Sequence, residues 1–287
     1  MKIGLIGLGS WSQKIIRCLP NSQDLFAVLT SREDASANLP KRTIICRSYD
    51  EFTALGLDRI IIANEASKHL QTLKKIRTIL PIIPILLEKP FVMSSAEVDE
   101  YFDFFGKDNN LLVNHTLLFN KSLLEIKKSH KQTSPLKIFC TDCNLGPYRA
   151  DCSALWDYGP HPISVAIYLA ADEDLPIDIK ILEAHVSKTI YGEIVTFRLT
   201  IQNRTEVICS VGNGSPVKIR KYLMHYPNEE IIEFDGMSSV NPQPLQILLA
   251  EFNEFKVEQT ENRDSRWGLN IPSQVIRAIS GLELFVK

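Results

Sequence analysis

Residues 2–14 read Lys2-Ile3-Gly4-Leu5-Ile6-Gly7-Leu8-Gly9-Ser10-Trp11-Ser12-Gln13-Lys14, and this stretch decides the fold. Ile3, Leu5, Ile6 and Leu8 form a short apolar run, as a strand buried on both faces requires. Gly7 and Gly9 follow at the spacing of a dinucleotide-binding turn, G-x-G-x-x-G/A, with Ser12 in the third small position. Gly7 permits a tight turn, and Gly9 lets backbone N–H groups approach a pyrophosphate. Trp11, Ile15 and Leu19 are spaced by four, one stripe of a helix that Pro20 ends. The start of that helix, at Ser10, Trp11 and Ser12, carries unsatisfied N–H donors and a partial positive charge, so it suits a phosphate.

The rest of the first half repeats the theme. Strands are expected at residues 25–29, 44–46, 59–63, 82–87 and 111–113, with helices between them. Ser48, Ser67 and the capping box Ser94-x-x-Glu97 mark helix starts. Strand–helix alternation with short links predicts a doubly wound parallel sheet, which binds ligands at the carboxyl ends of its strands. Gly7 to Ser12, Ser31-Arg32, Asn64-Glu65, Glu88-Lys89 and Asn114-His115 all fall at such ends.

Beyond residue 117 the pattern changes. A helix and a strand lead to an irregular stretch holding Tyr148 and Arg149, candidate substrate contacts. Trp156-Asp157-Tyr158-Gly159-Pro160-His161-Pro162 then opens an apolar helix. Strand-like stretches follow in series, and Val195, Phe197, Leu199 and Ile201 alternate as a half-buried strand does. The expectation is a Rossmann domain at 1–117 and an α+β domain with an open antiparallel sheet at 118–287.

The chain has 287 residues, 45 % of them hydrophobic, and a net charge of −2. That balance makes no electrostatic case for nucleic acid or an anionic membrane. No apolar run approaches the roughly 20 residues that span a bilayer. Six dispersed cysteines read as free thiols in a reducing cytoplasm. Cys140-x-x-Cys143 lies in or just after a strand with no second pair to complete a metal set, so no metal site is expected.

Three ionisable groups stand out. Lys89 closes the fifth strand, and Asp157 and His161 lie four apart at a helix entry. The set suits reversible hydride transfer at a carbinol carbon. The C–H leaves as hydride to a nicotinamide, and the O–H proton needs a base. A histidine, with an unperturbed pKa of about 6.5, is suited to that exchange. A nearby carboxylate supports its charged form, and a lysine ammonium polarises the oxygen.

Together, Gly7-x-Gly9-x-x-Ser12, Glu88-Lys89-Pro90 and Asp157-x-Gly159-x-His161 resemble the glucose–fructose oxidoreductase/inositol dehydrogenase (Gfo/Idh/MocA) family. The turn at 64–69, with Asn64, Glu65 and His69, and Asn114-His115 are similar to its pattern too. The resemblance implies that Lys89 and His161 flank the substrate carbon with Asp157 assisting, and that Glu88 and Lys89 approach the nicotinamide. It implies an open sheet that often forms a homodimer, and a small-molecule substrate such as a sugar, nucleotide sugar or cyclic polyol. Relatives that reduce imines, and a nucleotide sensor without turnover, are the alternatives. The short chain implies a reshaped pocket.

Thr30-Ser31-Arg32 at the second strand's end points to NADP rather than NAD. Ser31 can donate to a 2′-phosphate, and Arg32 can pair with it and stack on adenine. The alternative assigns the ribose of NAD to Glu33.

Overall fold

The computed structural model describes residues 1–35, 39–106, 110–146, 152–172, 175–238, 242–255 and 265–286. Tyr148 and Arg149 lie outside the described residues. The chain divides into two compact units: Met1–Asn114 with Leu245–Leu269, and His115–Pro244 with Asn270–Lys287. The sequence reading placed one boundary after residue 117; the contacts group a later segment with the first unit.

In the first unit, β1 (Ile3–Ile6), β2 (Leu25–Leu29), β3 (Ile44–Cys46), β4 (Arg59–Ile62), β5 (Ile85–Glu88) and β6 (Leu111–Asn114) form a sheet in the order β3-β2-β1-β4-β5-β6. Every neighbouring pair is parallel. The order reverses between β1 and β4, which creates the crevice where doubly wound sheets hold ligands. Ile3, Leu5, Ile60, Ile62, Ile85 and Leu87 are buried, as helices on both faces demand. Those helices include α1 (Ser10–Cys18), α2 (Tyr49–Thr53), α3 (His69–Ile79) and α4 (Ser95–Phe105).

Local chemistry sets the helix ends, with one departure. Ser48 and Ser94 cap α2 and α4 by accepting from Glu51 and Glu97 N–H. Ser67 does not cap α3: a 3₁₀ turn at Ala66–Lys68 intervenes, and α3 starts at His69 without a side-chain cap. After α5 (Lys121–Ser129) and the second unit's sheet, α8 (Pro244–Glu254) returns to the first unit. Arg59, at the start of β4, donates from Nη2 to the carbonyls of Asn253 (2.9 Å) and Phe255 (2.7 Å). It thereby satisfies the carbonyl end of α8, where a cation is favoured.

The second unit has β7 (Lys137–Leu145), β8 (Ile179–Thr189), β9 (Gly192–Ile201), β10 (Thr205–Gly212), β11 (Gly214–His225) and β12 (Ile231–Asp235), ordered β12-β11-β7-β10-β9-β8. Neighbours are antiparallel except the central β7–β10 pair, which is parallel. One face is apolar: Val195, Phe197, Leu199 and Ile201 on β9 meet Val207, Cys209 and Val211 of β10, all buried. On this face lie α7 (Pro160–Ala170), preceded by α6 (Ala154–Tyr158), and α9 (Asn270–Val286). All six cysteines are free. Among the described residues, no helix is long and apolar enough to cross a membrane and no side-chain cluster suits a metal ion.

Candidate active site

The first unit supplies a cradle at the carboxyl ends of its strands. Gly7 has φ +92°, and its N–H bonds the Leu29 carbonyl at 2.9 Å. A Cβ there would meet the Ala63 carbonyl oxygen at 2.6 Å, so both the backbone angle and the space demand glycine. Beside Gly9 the space is open: a Cβ would find no atom within 4 Å. Gly9 is the N-cap of α1, and neither a side-chain cap nor an acidic residue occupies the first turn. Ser12 is fully buried, with its hydroxyl near the Ala63 carbonyl, and packs the helix onto the strands. Free N–H groups at a helix start, flanked by open space, fit a dinucleotide's pyrophosphate.

Trp11 departs from its expected place in the apolar stripe. It is 39 % exposed, while Ile15 and Ile16 carry the packing. Its indole lies near enough to the Glu88 carboxyl to favour the charged form, and the Lys14 ammonium lies 4.7 Å from its ring centroid. Glu88, at the end of β5, is buried and accepts from Asn114 Nδ2 at 2.5 Å at the end of β6. Burial lifts the Glu88 carboxyl from its ordinary 4.5 to about 7, against the opposing pull of Trp11, Asn114 and Lys89. Trp11 of α1, Glu88 at the end of β5 and Asn114 at the end of β6 therefore gather in one polar set.

His69 lies deeper. It is 1 % exposed, and its ring spans two carbonyls, Pro90 at 2.7 Å from Nδ1 and Asn64 at 3.3 Å from Nε2. Burial pushes its pKa down, against the hydrogen bonds to those carbonyls. A neutral ring has a single N–H, and the shorter contact to Pro90 takes it. His69 thus braces the Glu88-Lys89-Pro90 turn, whose Lys89–Pro90 bond is cis. Asn64 donates from Nδ2 to Thr72 Oγ1 at 2.8 Å, and its Oδ1 has no hydrogen-bond partner among the described residues. Glu65 pairs with Lys68 at the exposed rim.

At the end of β2, Arg32 donates from Nη1 to the Leu8 carbonyl at 3.1 Å, over the glycine turn. Its Nε and Nη2 grip Asp34 at 3.1 and 2.9 Å. Ser31 beside it is exposed. Sequence reading passed over two neighbours. Arg47 reaches from the end of β3 and donates to the carbonyls of Thr30 and Arg32, both at 2.7 Å. Asp34 fills the Arg32 fork with an oxyanion. Asp34 is local, two residues on from Arg32, whereas Arg47 is brought there by the pairing of β2 with β3.

The second unit holds the other part of the trio. Ser153 caps α6, and Trp156 is tied by its indole to Glu283 of α9 at 2.7 Å. Gly159 keeps helical angles, φ −55° and ψ −35°, so α6 runs into α7 and Pro160 and Pro162 fall in the first turn of α7, where proline is tolerated. Asp157 and His161 therefore lie four apart along nearly continuous helical backbone, on one side of it. Sequence reading missed Tyr158, the residue after Asp157, and Asn144, Asp142 and Arg220, which act on its phenol.

No family model and no curated protein matches this sequence. Solved structures do match in shape over the whole chain. UDP-N-acetylglucosamine 3-dehydrogenase from Acidithiobacillus ferrooxidans superposes with a TM-score of 0.80 at 15 % identity, covering 100 % of this chain and 97 % of its own. Scyllo-inositol dehydrogenase from Lactobacillus casei, with bound NAD(H) and scyllo-inositol, gives 0.75 at 15 %, covering 100 % and 96 %. A 3-ketoreductase variant from Actinomadura kijaniata, with TDP-benzene and NADP, gives 0.74 at 12 %, covering 100 % and 98 %. The likeness is one of fold. It agrees with the architecture expected from the sequence: a Rossmann-like parallel sheet followed by an α+β unit.

Proposed function

We propose that this chain is an NADP-dependent oxidoreductase acting on a carbonyl or secondary alcohol of a sugar, nucleotide sugar or cyclic polyol. The observation that carries the reading is the cradle of the first unit, where Gly7, Gly9 and the α1 start stand at the same strand ends as Glu88-Lys89. The solved structures of the same shape named above are dehydrogenases of a nucleotide sugar and of an inositol and a 3-ketoreductase, two of them holding NAD(H) or NADP. Six free thiols agree with a reducing, cytoplasmic setting.

In this reading the α1 N–H groups hold the pyrophosphate, and Arg32 with Ser31 holds the 2′-phosphate. When bound, the nicotinamide supplies hydride acceptance or donation. Lys89 polarises the substrate oxygen, and His161 takes or returns the hydroxyl proton. Asp157 supports the charged imidazole. Glu88, held by Trp11 and Asn114, stays beside Lys89 and sets the polarity of that end of the site.

The cofactor assignment has a direct test in fluorescence titration with NADPH and NADH. NADPH is expected to bind more tightly. Arg32→Ala should weaken NADPH roughly 10–100-fold, the worth of a lost charge-assisted contact, and leave NADH nearly unchanged. Asp34→Asn should tighten NADPH, because it removes the carboxylate that competes for the Arg32 fork. If Asp34→Asn weakens NADH and spares NADPH, Asp34 holds a ribose and the cofactor is NAD.

A homodimer through the open sheet belongs to the same proposal. Glu183, Arg198, Glu206 and Lys137 form one ion-paired row across β8, β9, β10 and β7, on the face opposite α7 and α9. The signs alternate, so a two-fold axis through the middle of the row sets each charge against its opposite. Arg198→Glu is expected to convert a dimer to a monomer in sedimentation velocity. A wild-type monomer at micromolar concentration would refute the arrangement.

A further inference from the structure

Within the second unit, Arg220 is held in an unusual way. It pairs in register with Asp142 across β11 and β7, on the sheet face that also carries buried Tyr222 and Met224. Asp142 is 2 % exposed, and its Oδ2 accepts from Arg220 Nε at 2.8 Å. That single bond fixes the guanidinium side-on. Neither Nη group of Arg220 has a hydrogen-bond acceptor among the described residues, and the side chain keeps 23 % of its surface exposed.

The stem is fixed as well. A Cβ on Gly236 would meet Arg220 Cγ at 2.7 Å and Cδ at 2.8 Å, so the absence of a side chain there lets the stem lie across β12's end. Gly236 N–H also bonds the Arg220 carbonyl at 2.9 Å. The neighbourhood is polar: Tyr158 accepts from Asn144 and feels the charges of Asp157, Asp142 and Arg220. Burial and the Asp157 charge push the Tyr158 phenol up, so it remains a neutral hydrogen-bonding group.

We propose that the Arg220 fork, braced by Asp142 and Gly236, binds an oxyanion carried by the substrate, either a phosphate or a carboxylate. Neutralising Asp142 explains the Nε bond and nothing more. A lysine could do that, whereas the two Nη groups form the planar pair of donors that oxyanions take in bidentate fashion. Tyr158, at the end of α6, feels the Arg220 charge, so the bound anion would hold a substrate near the helical run that carries His161. The word substrate rests on the oxidoreductase reading; the anion site itself does not.

Isothermal titration decides it. The full chain, with and without saturating NADPH, is titrated with uridine diphosphate, with glucuronate and with neutral glucose. At least one anion should bind at submillimolar concentration while glucose does not, and whichever anion binds names the source of the oxyanion. Arg220→Gln should weaken that binding by about tenfold or more. Gly236→Ala, which keeps both charges and displaces the stem, should weaken it several-fold and decides the matter if Arg220→Gln does not fold. No binding of either anion up to about 10 mM, or equal binding by wild type and the variant that folds, overturns the proposal. NADPH binding without anion binding leaves the oxidoreductase reading intact and removes this site. Anion binding lost in the variant, with no NADPH binding, does the reverse.

Discussion

Replacing Lys89 or His161 by alanine is expected to lower turnover by roughly a hundredfold to several thousandfold, with NADPH affinity held within a few-fold. In the proposed reaction the two residues have different roles. Lys89 follows the last residue of β5, on the turn that His69 braces through Pro90. An ammonium there acts on charge that develops on the substrate oxygen, which is commonly worth about 10²–10³-fold. In the same proposal His161 moves the proton, and loss of a positioned acid or base costs about 10²–10⁴-fold. Both effects arise in the transition state, so they lower kcat and kcat/KM together and spare ground-state cofactor binding. The Lys89→Ala/His161→Ala double variant should fall well short of the product of the two losses, because the groups act on the same event. Asp157→Asn should cost less than either, since it acts through His161. Steady-state kinetics against a panel of sugars and nucleotide sugars, with cofactor affinity measured separately, checks all four variants. Unchanged turnover in both single variants would remove the assigned chemistry.

Much of this arrangement is legible in the sequence because its parts are local. A buried strand, a glycine turn and a helix start occupy consecutive residues 3–18, and backbone geometry alone dictates the order of residue types. The alternation of Val195, Phe197, Leu199 and Ile201 is legible for the same reason. Trp11 shows where periodicity misleads. Its four-residue spacing to Ile15 matches a core stripe, yet it sits in the first turn, beyond the sheet edge that buries Ile15, and its indole finds Glu88. Ser67 misleads in a similar way: it is a good cap, but the chain tightens into a 3₁₀ turn and begins the helix at His69, whose ring is needed against Pro90. The cluster of Asp142, Asn144, Tyr158 and Arg220 has no local signature at all. Arg220 lies 78 residues from Asp142, in a strand whose neighbours Lys218 and Lys221 are exposed charges. Only the β7–β11 register makes the pair visible.

Glu88→Gln is expected to stabilise the protein at pH 8 and to leave its stability at pH 4 nearly unchanged. The folded carboxyl, raised by burial, holds its proton up to about pH 7, whereas the ordinary value is 4.5. Between these values the folded chain binds more protons than the unfolded chain. Stability from this group is therefore fully present below about 4.5 and is lost as pH rises through about 7. The window corresponds to a loss of about 3 kcal/mol, which is the largest gain the neutral glutamine could return at pH 8. Glutamine keeps an acceptor for Asn114 or Trp11, so the polar set survives the change. His69 acts with the opposite sign, because burial depresses its pKa: its contribution is present above about 6.5 and is lost as pH falls through the folded value. Subtracting the two denaturation profiles at each pH cancels His69, which both proteins share, and leaves Glu88. A difference that is flat from pH 4 to 8 would mean that Glu88 titrates as a solvated carboxylate. A difference that grows across that range locates a carboxyl that changes charge near neutrality beside Lys89. If, as proposed, Glu88 approaches the nicotinamide, cofactor affinity acquires a pH dependence in the same window, because Glu88 is a proton donor below it and a carboxylate acceptor above it. That dependence should vanish in Glu88→Gln.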